Sequence, residues 1–446
     1  MSTFIQGIGC RGMVCAIGAV MLATLAMPAA AQAKKAKAPA AAKAAKAKAA
    51  QPAGPLQIEL SQNLPPSRSK ALQDLVKRFN EQSQNAQVTL VESNWQAAKP
   101  PHMMILGGAD EEAFLSGKTR YKPLHALMKE AGVALQTVKP AAMLTKKPVS
   151  ARGQLLALPV ALNTPVLYFN RAALKRAGVS TENPPVTTWS DLQGVLSKVA
   201  ANGYGGCPLT MVEPGRVLIE NNSAWNNVPV LSGKQPSFNG LFHVKYISLM
   251  ASWARADLLK FFNDRAESEG RFIKGECAVF IGPSDSWAEF HPHHSTGFDV
   301  GVTRLPYVDD APGAPQNTLA DGASLWVAAG KKSVENKAVA NFVKFWLQPE
   351  NQVIWQRDAG YLPLNKAGIF ASESTLLGDE LENIKVAIKQ LSNRPVTANS
   401  SVQPLIEREA TRRVIDEELG AVWANHKSAK AALDSAVARL SSGKKK

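Results

Sequence analysis

The chain has 446 residues, of which 45% are hydrophobic and 20% are charged, and its formal net charge is +15 at pH 7. Ten of the positive charges lie in Arg11, in the six lysines of residues 34–54 and in Lys444–Lys446. A nucleic-acid-binding domain needs basic residues interleaved with aromatic residues on one folded face. The sequence has no such stripe, so we expect no nucleic-acid partner.

The first 33 residues have the pattern of a secretory signal peptide. Arg11 supplies a positive charge, Met13–Met27 is apolar, and Ala31-Gln32-Ala33 fits a cleavage site between small residues. An uncleaved membrane anchor is the alternative, but the apolar run is short for a span of about 20 residues. We therefore predict that residues 1–33 are cleaved and that the mature chain lies in the periplasm.

Low-complexity sequence follows the predicted signal peptide. Residues 34–54 consist almost entirely of Ala, Lys and Pro, which cannot bury a core. We interpret them as a linker that spaces the folded part from the cell surface or contacts anionic lipid or wall polymer. Residues 441–446 form a short basic tail.

Alternating strand and helix patterns begin after the linker. Leu72, Leu75, Val76 and Phe79 repeat at helical spacing within a helix predicted over Ser67–Gln82. Strands on both sides of this helix predict an α/β sheet with crossover helices. In this first unit we predict strands at Gln57–Leu60, Gln87–Val91, Met103–Leu106, Leu155–Leu158 and Val166–Phe169, and a helix at Pro123–Ala131.

A second unit of the same kind begins near Ala172. Thr188 is a typical N-cap residue for a helix over Asp191–Ala201. The predicted strands are Pro208–Val212, Ala278–Ile281 and Leu325–Ala328. The other predicted helices are Ala172–Ala177, Leu218–Ala224, His243–Leu258, Ser284–Phe290, Ala338–Leu347, Asn351–Asp358, Thr411–Ala424 and Ala431–Leu440.

These elements predict two α/β lobes, each a mixed sheet flanked by helices. The chain after the linker is too long for one ordinary core. It returns to the first unit after Asn317, so we assign residues 55–164 and 318–370 to lobe 1 and residues 165–317 and 371–440 to lobe 2. Two crossings create a hinged cleft, and small-molecule sites favour such clefts.

Two cysteines, Cys207 and Cys277, remain after the predicted cleavage. An even number of cysteines in an oxidising compartment suggests a disulfide. Both lie near a short strand of the second lobe, so pairing is possible. Two buried thiols are the alternative reading.

Motifs of a catalytic centre are missing from the sequence. It contains neither a Gly-x-Ser-x-Gly elbow nor a phosphate-binding loop that ends in Gly-Lys-Ser/Thr. His291, His293 and His294 form a cluster, but no second group of ligands accompanies it at zinc-site spacing. We predict no catalytic residues, no metal and no cofactor.

Six segments, in order and at compatible spacings, resemble the periplasmic solute-binding proteins of ATP-driven importers (extracellular solute-binding protein family 1). The Ser-Ala-Trp-Asn and Ala-Pro-Gln-Asn motifs within them resemble the glycerophosphate-binding branch of that family. The resemblance implies a monomeric two-lobed (type II, Venus-flytrap) receptor that captures a small molecule and delivers it to the permease subunits of an ABC importer. The segments are Asn163–Asn170, Glu220–Asn226, Gly275–Val279, Ala314–Val327, Ala359–Ala367 and Val414–Trp423.

The resemblance also implies ligand-contacting positions. It places a ligand serine at Ser284, a ligand glycine at Gly322 and a ligand tyrosine at Tyr361. Ser284 also opens a helix after a strand, where free backbone N–H groups favour an anion, although capping alone explains a serine there. Trp95 stands where the family carries a tyrosine; it keeps the ring and loses the hydroxyl.

Four further positions depart from the family pattern. Asn163 replaces a ligand serine and can still donate a hydrogen bond. Gly108 replaces an acidic residue, with Asp110 two positions further on as a substitute for it.

Pro404 replaces the family arginine, and Arg216 replaces a pocket tryptophan. We hypothesise that the positive group has moved to Arg216 or that the ligand has changed; a solvated loop arginine is the alternative.

The sequence thus favours a receptor for sn-glycerol-3-phosphate or a related phosphodiester. The missing arginine favours an uncharged sugar or polyol instead, because an arginine–phosphate pair is a charge-assisted contact. A secreted phosphodiesterase is the alternative from another functional class.

Overall fold

In a computed structural model, the structure describes residues 54–92, 95–135, 148–204, 206–401 and 409–442. The predicted signal peptide, the linker except Gly54, the last four residues of the tail and Pro404 lie outside the described residues. The strands are β1 (Leu56–Gln62), β2 (Ala86–Val91), β3 (Met103–Leu106), β4 (Pro165–Asn170), β5 (Leu209–Met211), β6 (Leu231–Ser232), β7 (Gln235–Pro236), β8 (Leu259–Lys260), β9 (Val279–Pro283), β10 (Val300–Thr303) and β11 (Ser324–Val327).

Helices surround these strands. Short π-helical segments occupy Ala200–Tyr204 and Gly215–Asn221, and 3₁₀-helical segments occupy Ser284–Ser286 and His291–Thr296. The α-helices are α1 (Pro66–Gln82), α2 (Gly108–Leu115), α3 (Leu124–Glu130), α4 (Arg171–Arg176), α5 (Trp189–Val199), α6 (Asn222–Trp225), α7 (Leu241–Arg255), α8 (Arg265–Ile273), α9 (Trp287–Phe290), α10 (Ser333–Trp346), α11 (Pro349–Ala359), α12 (Lys366–Thr375), α13 (Gly378–Leu391), α14 (Glu409–Trp423) and α15 (Ala429–Ser442).

The first lobe is built on a four-stranded sheet in the order β11-β3-β1-β2. Strands β2 and β3 run parallel to β1, and β11 pairs antiparallel with β3. Helix α1 buries Leu72, Leu75 and Phe79, the positions that the helical spacing singled out. The Phe79 ring meets the rings of Phe342 and Phe345 edge-on, with centroids 5.0 and 5.4 Å away, so α10 packs on the same core.

The second lobe is built on a five-stranded sheet in the order β10-β4-β9-β5-β8. Strand β4 is antiparallel to both neighbours, whereas β5 is parallel to β8 and β9. Thr188 forms the predicted cap of α5, because its side chain accepts a hydrogen bond from the N–H of Asp191. Cys207 and Cys277, just before β5 and β9, form a disulfide with an S–S distance of 2.11 Å, so the reading as two thiols is wrong.

Two of the chain segments that cross between the lobes run side by side. The N–H groups of Asn163 and Asp321 donate to each other's carbonyl oxygens at 2.9 and 3.0 Å. Next to this pair, the Thr164 and Thr318 hydroxyls lie 2.9 Å apart. These two crossings therefore hold each other in register, and we refer to them as the hinge segments.

The structure departs from the sequence predictions at several places. Helices α2, α8, α12 and α13 were not predicted, and residues 155–158 form only isolated bridges instead of a strand. The sequence also predicts that Glu417 and Glu418 lie on a solvated face. Glu417 is 50% exposed as expected, but Glu418 is 6% exposed and bonds to Lys427 and Arg439. Among the described residues, no helix is long and apolar enough to cross a membrane.

Candidate functional site

A polar cavity of about 360 Å³ lies between the lobes at the hinge. Ile105 of β3, residues that follow strands of the second sheet, such as Glu213 and Asp285, and residues of both crossing segments line it. Because each lobe contributes one wall, a ligand there would contact both lobes at once. The lining residues are Asn63, Leu64, Pro65, Ile105, Gly107, Gly108, Asp110, Ala161, Asn163, Glu213, Arg216, Arg265, Asp285, Asp321, Gly322, Ala323, Tyr361, Glu409, Arg412 and Asp416.

Gly322 lies on the returning crossing segment and lines the cavity. Its φ of +138° is outside the range of ordinary L-residues. A Cβ atom there would lie 1.7 Å from the carbonyl oxygen of Ala161 on the opposite crossing segment. Glycine is therefore required for the two hinge segments to approach each other, whether or not Gly322 also contacts a ligand.

Tyr361 lines the cavity from the segment after α11. Gly360 ends that helix with φ +75°, and a Cβ there would lie 2.7 Å from the carbonyl oxygen of Asp285. The Tyr361 ring is 4% exposed and packs 5.6 Å from Trp355. Burial, together with the nearby Asp285 carboxylate, raises the pKa of Tyr361, so its hydroxyl stays protonated and can donate a hydrogen bond.

Arg216 lies in the wide turn Gly215–Asn221 and is only 6% exposed, so the reading as a solvated loop arginine is wrong. Its guanidinium donates to Glu213 Oε2 at 2.7 Å and to Asn163 Oδ1 at 2.6 Å. The buried Nε atom has no hydrogen-bond partner among the described residues and lies 3.9 Å from Asp321 Oδ2. Arg216 and Asn163, both predicted as ligand residues, thus form one contact pair at the cavity.

Arg412, in the first turn of α14, is a cavity residue that the sequence reasoning missed. Its guanidinium donates to both carboxylate oxygens of Glu220, at 2.7 and 2.9 Å, and forms an ion pair with Asp321 Oδ2. Burial by itself lowers the pKa of Arg412, but the carboxylates of Glu220 and Asp321 outweigh it. The net pKa lies above its ordinary value, so the side chain stays charged. Burial raises the pKa of Glu220 despite this pairing.

Asp285, rather than its neighbour Ser284, lines the cavity. Burial tends to raise the Asp285 pKa, but Arg265 and Arg68 together bring it below its ordinary value. Its Oδ2 lies 3.0 Å from Arg265, whereas Oδ1 has no hydrogen-bond partner among the described residues. Ser284 is fully buried, and its hydroxyl accepts the N–H of Thr164 at 3.3 Å.

Gly108 and Asp110 both line the cavity, whereas Trp95 is absent from its lining. Asp110 Oδ2 accepts a hydrogen bond from the Asn63 amide at 2.7 Å. Trp95 is 9% exposed and packs edge-on to Phe114, with ring centroids 5.7 Å apart. For Ser284 and Trp95, contact with a ligand stays a prediction.

Three carboxylates, Glu213, Glu409 and Asp416, line one part of the cavity. Burial and the negative charges of Glu213 and Glu409 raise the pKa of Asp416 to about 6. The N–H of Gly215 and the charge of Arg412 oppose this shift. In the described part of the chain, no three His, Cys, Asp or Glu side chains are grouped to hold a metal ion.

Two sheet-and-helix lobes, joined by paired crossings around a polar cavity, define a solute-binding receptor. The profile of the family described as "bacterial extracellular solute-binding protein" matches residues 74–369. The chain therefore belongs to this family. Such proteins are the solute-binding components of ABC importers and deliver small molecules to permease subunits.

Sequence relatives agree with this assignment. The sn-glycerol-3-phosphate-binding periplasmic protein UgpB of Pectobacterium atrosepticum is 31% identical over 391 residues, which are 83% of this chain and 87% of that protein. The protein of the same name from Yersinia pseudotuberculosis is 35% identical over 298 residues, which are 65% of this chain and 67% of that protein. The resemblance to the solute-binding family and its glycerophosphate branch is thus confirmed.

Solved structures confirm the two-lobed fold. UgpB from Mycobacterium tuberculosis in complex with glycerophosphocholine matches with a TM-score of 0.69 at 19% identity, and the match covers 87% of this chain and 98% of that chain. The GacH receptor of Streptomyces glaucescens, described in complex with acarbose, matches with a TM-score of 0.68 at 15% identity, over 87% and 98% of the two chains.

Proposed function

We propose that this protein captures sn-glycerol-3-phosphate or a related glycerophosphodiester in the periplasm and delivers it to an ABC permease. The observation that carries the proposal is the pair of arginines, Arg216 and Arg412, whose side chains are 7% and 17% exposed in a cavity that both lobes line. Arginine donates charge-assisted, often bidentate hydrogen bonds to phosphate oxygens. The names of the sequence relatives point to the same ligand class.

The remaining cavity residues supply partners for a polyol. In our proposal, the Tyr361 hydroxyl donates a hydrogen bond to a phosphate oxygen. Asp110 accepts hydrogen bonds from the glycerol hydroxyls, and the Asn163 amide donates a hydrogen bond to the glycerol part. A cavity of about 360 Å³ is near the lower end of the usual range for ligand sites, which favours a compact ligand over an oligosaccharide. Gly322 keeps the hinge segments close enough to approach the ligand.

An uncharged sugar or polyol is the second candidate ligand. It is favoured by the carboxylate partners of both arginines, Glu213 for Arg216 and Glu220 for Arg412, which compensate the positive charge before any ligand binds. A neutral ligand would not need free positive charge. The two candidates therefore differ in whether affinity depends on a phosphate group.

Calorimetric titration of the purified mature protein tests the choice. The panel is sn-glycerol-3-phosphate, glycerophosphocholine, inorganic phosphate, maltose and glycerol. We expect stoichiometric binding of the two glycerophosphates, with affinity at least tenfold above that for glycerol, because charge-assisted hydrogen bonds contribute about 1.5–3 kcal/mol each. Tighter binding of maltose or glycerol would instead favour the neutral ligand.

The same samples address the enzymatic alternative. A receptor releases its ligand unchanged, so glycerophosphocholine should be recovered intact after prolonged incubation with the protein. Multiple turnovers to glycerol-3-phosphate and choline would contradict the proposal. Mass spectrometry of the exported chain tests cleavage after Ala33, because the cleaved chain should begin at Lys34.

A further inference from the structure

One carboxylate lies between the two cavity arginines. Asp321 Oδ2 is 3.9 Å from the Nε of Arg216 and forms an ion pair with the guanidinium of Arg412. Its other oxygen, Oδ1, accepts the N–H of Gly322 at 2.8 Å. Asp321 thus places a negatively charged oxygen where two guanidinium groups from the second lobe converge on the hinge.

Both arginines already have other acidic partners. Arg412 holds Glu220 in a two-bond contact, and Arg216 holds Glu213 at 2.7 Å. The Arg216 Nε atom still has no hydrogen-bond partner among the described residues, although it is buried and its residue lines the cavity. Leaving a buried donor without an acceptor costs free energy. A ligand oxygen at hydrogen-bond distance from this Nε atom would therefore stabilise the site.

We propose that Asp321 is an internal counter-anion, which occupies the oxyanion position between Arg216 and Arg412 and is displaced when the phosphate group of a ligand binds. This inference rests on the proposed function, since it assumes that the ligand is a phosphate monoester or diester. A phosphate has more acceptor oxygens than a carboxylate and can therefore reach Arg412 and the open Nε of Arg216 together. Without a ligand, Asp321 adds a negative charge beside the buried Arg216 and the partly exposed Arg412.

The surrounding backbone allows this exchange. The N–H and carbonyl groups of Asp321 pair with those of Asn163, so the main chain at this point is fixed. Rotation of the Asp321 side chain moves the carboxylate away from Arg412 without breaking that pairing. Displacement then costs the Arg412–Asp321 ion pair and the hydrogen bond from the Gly322 N–H, and only an anionic ligand replaces the ion pair. A neutral polyol leaves Asp321 in place, so the exchange selects ligands by charge.

The test compares wild type with Asp321→Asn, which removes the charge and keeps the shape. Titrations use sn-glycerol-3-phosphate, inorganic phosphate and glycerol. We expect the affinity of Asp321→Asn for both phosphates to rise about tenfold or more, because no internal anion competes, and its affinity for glycerol to change less than twofold. Circular dichroism and a thermal melt establish that the variant is folded.

Glu409→Gln is the matched control, because Glu409 lines the same cavity and forms no ion pair with either arginine. Glu409→Gln measures the through-space effect of removing one cavity charge. We expect the increase in the logarithm of its phosphate affinity to be less than a third of that for Asp321→Asn. Equal gains in the two variants would overturn the proposal. So would unchanged or weaker phosphate binding by Asp321→Asn.

A crystal structure of wild type with sn-glycerol-3-phosphate tests the exchange without any variant. We expect a phosphate oxygen on Arg412 and the Asp321 carboxylate moved away; a bound phosphate with the Arg412–Asp321 ion pair intact would overturn the exchange while leaving the proposed function standing. If wild type binds a neutral polyol, and neither it nor Asp321→Asn binds any phosphate, both the exchange and the phosphate ligand are wrong.

Discussion

Arg68 on helix α1 of the first lobe lies 3.3 Å from the carboxylate of Asp285 in the second lobe, and the two side chains are only 1% and 2% exposed. Arg68 also forms an ion pair with Glu289 of the second lobe. The two lobes are therefore linked by buried charges next to the cavity, which Asp285 also lines. A buried charge that loses its partner is strongly destabilising, whereas an exposed pair contributes little.

Arg68→Met should lower the free energy of unfolding by about 3–5 kcal/mol, because it leaves the second-lobe carboxylates with fewer cationic partners. Urea denaturation followed by circular dichroism measures the change. Lys70→Met on the same helix is the control, since Lys70 and its partner Asp74 are 74% and 51% exposed. It should change stability by less than about 0.5 kcal/mol. A loss below about 1 kcal/mol for Arg68→Met would show that the tie between the lobes is not stabilising.

Gly322→Ala should destabilise the protein by about 3 kcal/mol or more, because the new Cβ would collide with the Ala161 carbonyl and force the hinge segments apart. Gly194→Ala is the opposite case, because Gly194 lies inside helix α5 and a Cβ there meets no atom within 4 Å. That change should raise stability by about 0.5–1 kcal/mol. Thermal melts of both variants test the pair, and a neutral Gly322→Ala would contradict the close approach.

Tyr361→Phe should weaken glycerophosphate binding about fivefold and leave the melting temperature nearly unchanged, because it removes one donor and keeps the buried ring. Tyr361→Ala should lower stability as well, since the ring is 4% exposed and packs on Trp355. Calorimetry and melts separate the two effects.

Tyr168→Phe is the matched control for Tyr361→Phe. The Tyr168 hydroxyl is 2.8 Å from both the Ser284 carbonyl oxygen and Asn383 Oδ1, so it is satisfied within the protein. Its loss should reduce stability by about 1 kcal/mol and affect ligand affinity less than Tyr361→Phe does. If Tyr168→Phe weakened ligand binding more than Tyr361→Phe does, Tyr361 would be a packing residue rather than a ligand contact.

Asp416 should make the protein less stable as the pH rises from about 4 to 7. Its pKa is about 6 in the folded protein, above the ordinary value of 3.8, so the folded state binds this proton more tightly than the unfolded state. The contribution is complete below pH 4 and is lost as the pH rises through 6. A shift of about two pKa units corresponds to roughly 3 kcal/mol.

Asp416→Asn isolates this group, because the asparagine oxygen can still accept the N–H of Gly215, which donates to Asp416 Oδ1 at 2.7 Å. Urea denaturation at several pH values between 4 and 7 gives the stability difference between variant and wild type. That difference should shift in favour of Asp416→Asn by about 2–3 kcal/mol across this range. A difference independent of pH would contradict the raised pKa.

Much of the fold was predictable because it depends on local patterns. The spacing of Leu72, Leu75 and Phe79 predicted α1 and its buried face, and Thr188 predicted the start of α5. Helix α8 was missed although Asp264 caps it, because its buried positions are few and include Ser268 and Glu269. A search for hydrophobic periodicity does not detect a buried polar residue whose partner is distant in the chain.

The sequence by itself determined that the chain alternates strands and helices in two units, that it resembles solute receptors, and that Asn163, Gly322 and Tyr361 merit attention. Only the tertiary structure decided which charges meet. Arg412 and Glu220 are 192 positions apart in the chain, and Gly215 and Asp416 are 201 apart. No local pattern links such partners. Pairing of such buried charges depends on how the lobes pack, because burial makes an unpaired charge too costly to remain.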